Sequence, residues 1–150
     1  MIRNMVSSPS VLQNGTVTME TKHILIVDDE EDHRLVLADL LESKGYSIST
    51  AKNAKQALAQ LSTQAVDLVI TDFMMPEMNG LELIRAMARS DGLNMIPVIL
   101  LTANARENLE DLAKSAGAFS TVFKPFDNKS LLAWIHTAIE QSVPLSSNCS

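Results

Sequence analysis

The sequence has little of what marks secreted, thiolate-metal or membrane proteins. Its one cysteine, Cys149, excludes a disulfide framework within the chain and a zinc site built on several cysteines. No apolar run approaches the ~20 residues that span a bilayer. The N-terminus also lacks the continuous apolar stretch of a secretory signal. We therefore expect a cytoplasmic protein that does not bind membranes.

Positive charge is also scarce, and it is dispersed along the chain. The 12 Lys and Arg residues are outnumbered by 18 Asp and Glu residues, which gives a formal net charge of -6. Salt-dependent binding to nucleic-acid phosphates needs an excess of cationic side chains. We therefore expect no direct contact with nucleic acid, and the modest negative charge mainly favours solubility.

The length of 150 residues is about that of one domain. Residues 1–22 are rich in Ser, Thr, Asn and Gln and show no sustained periodicity, so we predict a flexible N-terminal tail. Residues 143–150 are predicted to be a C-terminal tail. One folded domain is expected between them, over residues 23–142, and both flanks are too short for a second domain.

Within this domain, short apolar runs alternate with amphipathic segments. Strands are predicted at 24–27, 46–51, 68–70, 97–101 and 119–123, with helices at about 31–44, 54–61, 80–90, 106–115 and from 127 or 128 onward. Five successive strand–helix units favour a parallel sheet with helices on both faces. The fold class is therefore α/β, a flavodoxin-like doubly wound five-stranded parallel sheet in the order 2-1-3-4-5 with five helices.

Polar side chains follow four of the predicted strands at their carboxyl ends. Asp28 and Asp29 follow the first strand, Asp72 the third, Thr102 the fourth and Lys124 the fifth. The carboxyl ends of parallel strands meet at one edge of the sheet, where open α/β sheets bind their ligands. We therefore expect these five side chains to lie close together.

Several carboxylates, one hydroxyl and one ammonium group at a single edge suit Mg²⁺ and a phosphoryl group. Mg²⁺ prefers oxygen ligands, and a carboxylate can act as a nucleophile in covalent catalysis. Each residue alone has a simpler interpretation: Asp28 and Asp29 as complements of a helix N-terminus, Asp72 as a turn residue, Thr102 as a cap and Lys124 as a solvated charge. The prediction of a site rests on their coincidence at successive strand ends.

Several stretches also carry a specific family resemblance. They are Ile24 to Glu31 (ILIVDDEE), Asp72 to Leu81 (DFMMPEMNGL), Pro97 to Ala103 (PVILLTA), Gly117-Ala118 and Lys124-Pro125-Phe126. With them the chain resembles bacterial two-component response-regulator receiver domains, of the single-domain chemotaxis-regulator type, over about residues 22–142.

The resemblance implies a role for each residue at the predicted edge. Asp72 is expected to be the phosphoacceptor and, with Asp29, a direct Mg²⁺ ligand, and Asp28 is expected to support the metal through bound water. The backbone carbonyl of Met74 is expected to be a further ligand. Thr102 is expected to bond a phosphoryl oxygen and Lys124 to contact the phosphoryl group. The Lys124-Pro125 peptide bond is expected to be cis.

The chain departs from the usual pattern of this family at positions that affect output and phosphoryl lifetime. Thr121 stands where the family usually has Tyr or Phe, so the aromatic half of the usual switch is missing. Met74 and Asn104 occupy the positions that flank the hydrolytic water. With no large side chain to move at Thr121, we expect the response to phosphorylation to be concentrated in the loop 103–107 and the helix after it.

The leading hypothesis is a stand-alone receiver that takes a phosphoryl group from a sensor histidine kinase or a histidine phosphotransfer protein. It would then bind an unknown output protein through its helix 4–strand 5–helix 5 face. A weaker alternative is a haloacid-dehalogenase-like phosphatase, in which the Asp nucleophile follows the first strand in an Asp-x-Asp pattern. A third alternative, a receiver that is never phosphorylated, conflicts with the complete set of Asp28, Asp29, Asp72, Thr102 and Lys124.

Overall fold

The computed structural model describes residues 21–103 and 108–141. The predicted domain falls almost entirely within these ranges. Most of the two predicted tails lies outside them, as do Asn104 and residues 105–107. None of the helices in the described ranges combines the length and apolar character that a bilayer crossing requires.

A five-stranded parallel sheet forms the centre of the molecule. Its strands are β1 (His23–Val27), β2 (Ser47–Ala51), β3 (Leu68–Asp72), β4 (Val98–Thr102) and β5 (Ser120–Phe123), in the spatial order β2-β1-β3-β4-β5. All four strand pairs are parallel. The predicted fold class and strand order are therefore confirmed.

Five helices cover the two faces of this sheet. They are α1 (Glu31–Ser43), α2 (Ala54–Leu61), α3 (Gly80–Ala88), α4 (Leu109–Ala116) and α5 (Asn128–Gln141), with a short 3-10 helix at Leu93–Met95. Apolar side chains of α2, α3 and α4 form one buried cluster with the sheet, and those of α1 and α5 form a second cluster on the opposite face. Burial on both faces explains the continuous apolar sequences of the central strands.

Helix starts are fixed by capping side chains where the sequence offers them. Asn53 accepts a hydrogen bond from the backbone N–H of Gln56 at the start of α2. Asn79 and Glu82 form a reciprocal capping box at the start of α3, and Asp127 accepts from the N–H of Ser130. Such caps contribute about 1 kcal/mol each. The α3 cap fixes the end of the loop that follows Asp72.

The structure differs from the sequence prediction at three of the element boundaries nearest the sheet edge. Strand β4 ends at Thr102, one residue beyond the predicted end. Strand β3 continues to Asp72, two residues beyond the predicted end, because Thr71 and Asp72 remain in register with Leu100 and Leu101 of β4. Helix α4 begins at Leu109, later than predicted. Asp72 is therefore the last residue of a strand and is held by the sheet.

Gly80 allows α3 to start directly against the end of β3. A Cβ atom built at Gly80 would clash with the carbonyl oxygen of Asp72 and would lie 2.7 Å from Cδ1 of Leu100. The N–H of Gly80 also donates to the carbonyl oxygen of Phe73 at 2.9 Å. Any side chain at this position would have to move the backbone that carries Asp72.

We predict that Gly80→Ala lowers the free energy of unfolding by about 3 kcal/mol, the upper range for overpacking a buried site. Gly45→Ala is the matched control, because Gly45 has a φ of 97° and nothing within 4 Å of an added Cβ. We expect Gly45→Ala to lower the free energy of unfolding by about 1 kcal/mol, through backbone conformation alone. Urea unfolding measures both. An equal or smaller loss for Gly80→Ala would contradict the proposed close packing.

Candidate functional site

The carboxyl ends of four strands bring the predicted residues to one edge of the sheet. Asp28 and Asp29 follow β1, Asp72 ends β3, Thr102 ends β4 and Lys124 follows β5. The order of the strands places β3 between β1 and β4. Asp72 therefore lies at the centre of the edge, with the acidic pair on one side and Thr102 and Lys124 on the other.

Three carboxylates form a compact cluster at this edge. One carboxylate oxygen from each of Asp28, Asp29 and Asp72 lies within 4.8 Å of the others. Asp28 is buried, Asp72 is partly buried and Asp29 is exposed to solvent. Because Oδ1 of Asp28 already accepts a hydrogen bond from the N–H of Glu30 at 2.9 Å, Asp29 is the member of the pair that faces solvent most freely.

Lys124 balances part of this negative charge. Its Nζ lies 2.9 Å from Oδ1 of Asp72, and both side chains are largely shielded from solvent. The backbone N–H of Lys124 donates to the carbonyl oxygen of Thr102 at 2.8 Å, which joins the ends of β4 and β5. The Lys124-Pro125 peptide bond is cis, as expected.

The pKa of Asp72 is raised above its ordinary value. Partial burial is the main cause, and the negative charges of Asp28 and Asp29 add to it, whereas the hydrogen bond and charge of Lys124 act in the opposite direction. Burial is therefore what raises this pKa, because each contribution of Lys124 ranks above that of either neighbouring carboxylate. A divalent cation at this edge would stabilise the ionised carboxylate that burial disfavours.

The other predicted site residues lie on or next to β3, β4 and β5, except Asn104. Thr102 is 1% exposed and belongs to β4 next to Asp72. Met74 lies in the loop after β3, with its side chain 63% exposed. Thr121 is half-buried on β5 and is the register partner of Leu100. Asn104 lies outside the described residues.

The donor set fits Mg²⁺. Mg²⁺ takes oxygen ligands, keeps several waters and is usually held by one or two carboxylates together with phosphate oxygens. The cluster offers carboxylates at different depths, and Asp29 is the one exposed to solvent. No histidine or cysteine belongs to the three-carboxylate cluster, which favours a hard cation over a transition metal.

Comparison with known proteins agrees with this geometry. Residues 24–136 match the family model of the response regulator receiver domain. The chain belongs to the response regulator receiver domain family. The predicted family is therefore confirmed, and with it a place for the chain among two-component signalling proteins.

One similar curated protein is a transcriptional regulator. The phosphate regulon transcriptional regulatory protein PhoB of Pseudomonas aeruginosa is 36% identical over 126 residues, which cover 84% of this chain and 55% of the relative. The receiver chain thus spans about half the length of this relative.

Solved receiver structures share the fold. Chemotaxis protein CheY4 of Vibrio cholerae is 28% identical, with a TM-score of 0.75 over 79% of this chain and 99% of that one. Response regulator protein TrrA of Thermotoga maritima, solved in complex with Mg²⁺-BeF, is 35% identical, with a TM-score of 0.71 over 79% of this chain and 99% of that one.

The receiver family also decides between the signalling and phosphatase hypotheses. The phosphatase alternative places the nucleophile after the first strand, whereas the central carboxylate here is Asp72 at the end of β3. The receiver domain is a signalling domain. We therefore do not carry the phosphatase hypothesis further.

Sequence reasoning missed two side chains that contact the acidic pair. His33 Nδ1 lies 3.6 Å from Oδ2 of Asp28, and its Nε2 lies 3.3 Å from Glu30. Nη1 of Arg34 donates to the carbonyl oxygen of Asp28 at 2.7 Å. Both residues lie in the first turns of α1, so helical geometry directly after the acidic pair is the signal that could have found them.

We predict that Asp72→Asn stabilises the metal-free protein at neutral pH. The raised pKa of Asp72 means that its ionised form is less favourable in the folded state than in the unfolded state. As the pH falls through this raised pKa, the folded wild type takes up a proton, and its stability approaches that of the variant. Thermal unfolding between neutral and acidic pH, without divalent cations, measures this difference.

Asp91→Asn is the control, because Asp91 is an exposed carboxylate after α3, outside the acidic cluster. It should show neither the stabilisation nor its loss at low pH. The explanation would be wrong if Asp72→Asn unfolded at or below the wild-type temperature at neutral pH, or if its advantage grew as the pH fell.

Proposed function

We propose that this receiver is a phosphorylation switch in which Asp72 accepts a phosphoryl group in a Mg²⁺-dependent reaction. The observation that carries the proposal is the Asp72 carboxylate itself. It lies beside two further carboxylates and 2.9 Å from the Lys124 ammonium group at the carboxyl edge of a receiver sheet. The Mg²⁺-BeF complex of the TrrA relative supports the same choice of metal.

The reaction transfers phosphorus from nitrogen to oxygen. An oxygen of Asp72 forms the new bond to phosphorus, the bond from phosphorus to the donor imidazole nitrogen breaks, and the electron pair leaves with the imidazole. The protein residues position and stabilise the anionic group rather than activate a further nucleophile. Mg²⁺, when bound, supplies positive charge to the phosphoryl oxygens.

The metal is proposed to bind directly to Asp29, Asp72 and the backbone carbonyl of Met74, with Asp28 acting through bound water. The buried Asp28 carboxylate, already bonded to the N–H of Glu30, suits this indirect role. The exposed Asp29 has the freedom to ligate directly. These assignments agree with the reluctance of Mg²⁺ to lose all its waters.

Lys124 and Thr102 are proposed to hold the transferred group. Lys124 is already at Asp72, so its ammonium can follow the negative charge onto a phosphoryl oxygen. Thr102 ends the neighbouring strand and can donate its hydroxyl proton. The lifetime of the aspartyl phosphate is proposed to depend on Met74 and Asn104, because the thioether of Met74 cannot orient an attacking water as an amide can.

A sensor histidine kinase or a histidine phosphotransfer protein is proposed as the donor. An apolar groove of about 340 Å³ opens next to the site and is lined by Val36, Leu37 and Leu40 of α1 and by Lys124, Pro125 and Phe126. Because Lys124 belongs to both the groove and the site, a donor docked there would present its phosphohistidine near Asp72.

The output partner is proposed to bind the face formed by α4, β5 and α5. This face exposes Trp134 of α5, which packs edge-to-face on Phe119 at 6.1 Å between ring centroids, and Phe123. We propose that a partner inserts an apolar group beside the short side chain of Thr121. The response to phosphorylation is expected to be concentrated at Ala103 and residues 104–107, with little change at Thr121.

In this proposal the protein is cytoplasmic and catalyses only its own phosphorylation and dephosphorylation. Neither nucleic acid nor a membrane is a direct partner of the receiver itself. The negative net charge supports the absence of direct nucleic-acid binding, because binding to nucleic-acid phosphates requires cationic side chains.

The proposal predicts stoichiometric labelling. Incubation with a small phosphodonor and Mg²⁺ should add one phosphoryl group per chain, measured by intact mass, and chelation of the metal should abolish the addition. Asp72→Asn should show no added mass because it keeps the shape but lacks the nucleophilic oxygen. Asp91→Asn should be labelled like the wild type.

Labelling of Asp72→Asn to the wild-type extent would show that the acceptor is another residue. Labelling that persists without divalent cation would contradict the role of the acidic cluster in binding Mg²⁺. Continuous turnover of a phosphate ester, in place of a single addition, would contradict the switch.

A further inference from the structure

Arg34 has none of the roles proposed above, yet its side chain contacts the acidic pair. Its Nη1 donates a hydrogen bond to the carbonyl oxygen of Asp28 at 2.7 Å, and the contact is partly buried. Its backbone N–H bonds to the carbonyl oxygen of Glu30 at 3.1 Å, so the side chain extends from the first turn of α1. No ion pair joins Arg34 to a carboxylate among residues 21–103 and 108–141.

The bonded carbonyl belongs to the peptide unit between Asp28 and Asp29. A peptide unit is planar, so the direction of its C=O fixes the rotation of the backbone on both sides of it. Asp28 is attached to one end of the unit and Asp29 to the other. A hydrogen bond to this carbonyl therefore orients both carboxylate-bearing residues at once.

Asp29 depends on this constraint more than Asp28 does. The backbone N–H of Asp28 bonds to the carbonyl oxygen of Ala51 at 3.1 Å, and its Oδ1 accepts from Glu30. The Asp29 carboxylate accepts no hydrogen bond from the described part of the chain, and the residue is exposed. The orientation of its backbone is therefore the main restraint on the direction of this proposed ligand.

We propose that Arg34 is a positioning residue for the metal site: it fixes the Asp28–Asp29 peptide unit and so holds both carboxylates in the arrangement that binds Mg²⁺. The inference rests on the function proposed above. Groups that orient the ligands of a metal commonly change its affinity 10–100-fold when they are removed. Arg34 orients these ligands through its hydrogen bond to one backbone carbonyl, and not through contact with a ligand side chain.

The charge of Arg34 and its hydrogen bond to the Asp28 carbonyl have opposite expected effects on Mg²⁺ affinity. A guanidinium near three carboxylates repels a divalent cation, so loss of the charge alone should strengthen Mg²⁺ binding. Loss of the hydrogen bond to the Asp28 carbonyl should weaken Mg²⁺ binding. The sign of the change in Mg²⁺ dissociation constant therefore separates positioning from simple electrostatics.

The test compares variants at Arg34 by titration with MgCl₂ in a calorimeter. Arg34→Met keeps an unbranched aliphatic side chain and removes the donor, and it should raise the Mg²⁺ dissociation constant about tenfold. Arg34→Lys should restore affinity close to the wild type, because only one nitrogen of Arg34 makes the contact. Arg85→Met, on the exposed face of α3, should bind Mg²⁺ like the wild type.

Circular dichroism and thermal unfolding without Mg²⁺ establish that each variant is folded. If Arg34→Met does not fold, Arg34→Gln, whose shorter side chain does not reach the carbonyl, replaces it with the same expected weakening. Unchanged or tighter Mg²⁺ binding by the folded neutral variant would overturn the inference. So would weakening by Arg34→Lys as large as that by Arg34→Met.

The proposed function and this inference fail in different ways. A wild-type protein that neither binds Mg²⁺ nor accepts a phosphoryl group contradicts both. A wild type that does both, with an Arg34→Met variant of equal Mg²⁺ affinity, contradicts only the role of Arg34.

Discussion

Repulsion among three carboxylates at one edge of the sheet is the constraint on which the site depends. Asp28, Asp29 and Asp72 each place an oxygen within 4.8 Å of the others, although like charges at this distance disfavour ionisation. The protein holds them together because strand pairing fixes the backbone, and the single ammonium of Lys124 offsets only part of the charge. Partial burial raises the pKa of Asp72, and the charges of Asp28 and Asp29 add to that shift, so the proposed Mg²⁺ would stabilise the ionised form of Asp72.

The sheet topology creates the cluster, and the helices stabilise it. Parallel strands carry all their carboxyl ends to one edge, and the order β2-β1-β3-β4-β5 puts β3 between the strands that carry the other functional residues. Gly80 lets α3 begin against the carbonyl of Asp72, and Arg34 of α1 holds the carbonyl of Asp28. The acceptor and its neighbours are therefore fixed by backbone contacts on both faces of the sheet.

Much of this arrangement was predictable because it follows from periodicity and connection rules. Alternating apolar and amphipathic segments predict the parallel sheet, and the position of Asp72 after the third apolar run places it at the same edge as Asp28 and Lys124. The predicted end of β3 was wrong because Thr71 and Asp72 are polar and interrupt the apolar run. Their pairing with β4 depends on a neighbouring strand, which a local sequence pattern does not reveal. Arg34 and His33 were missed because their roles depend on the direction of side chains from α1.

The central claim is that a carboxylate oxygen of Asp72, and of no other residue in the cluster, becomes bonded to phosphorus. Reduction with borohydride after treatment with a phosphodonor and Mg²⁺ tests it most directly, because an aspartyl phosphate is converted to homoserine and can be located by peptide mass spectrometry. We expect homoserine at position 72, and none at positions 28 and 29 or when Mg²⁺ is omitted. Homoserine at position 28 or 29, or none anywhere in a protein that gains phosphoryl mass, would contradict this account.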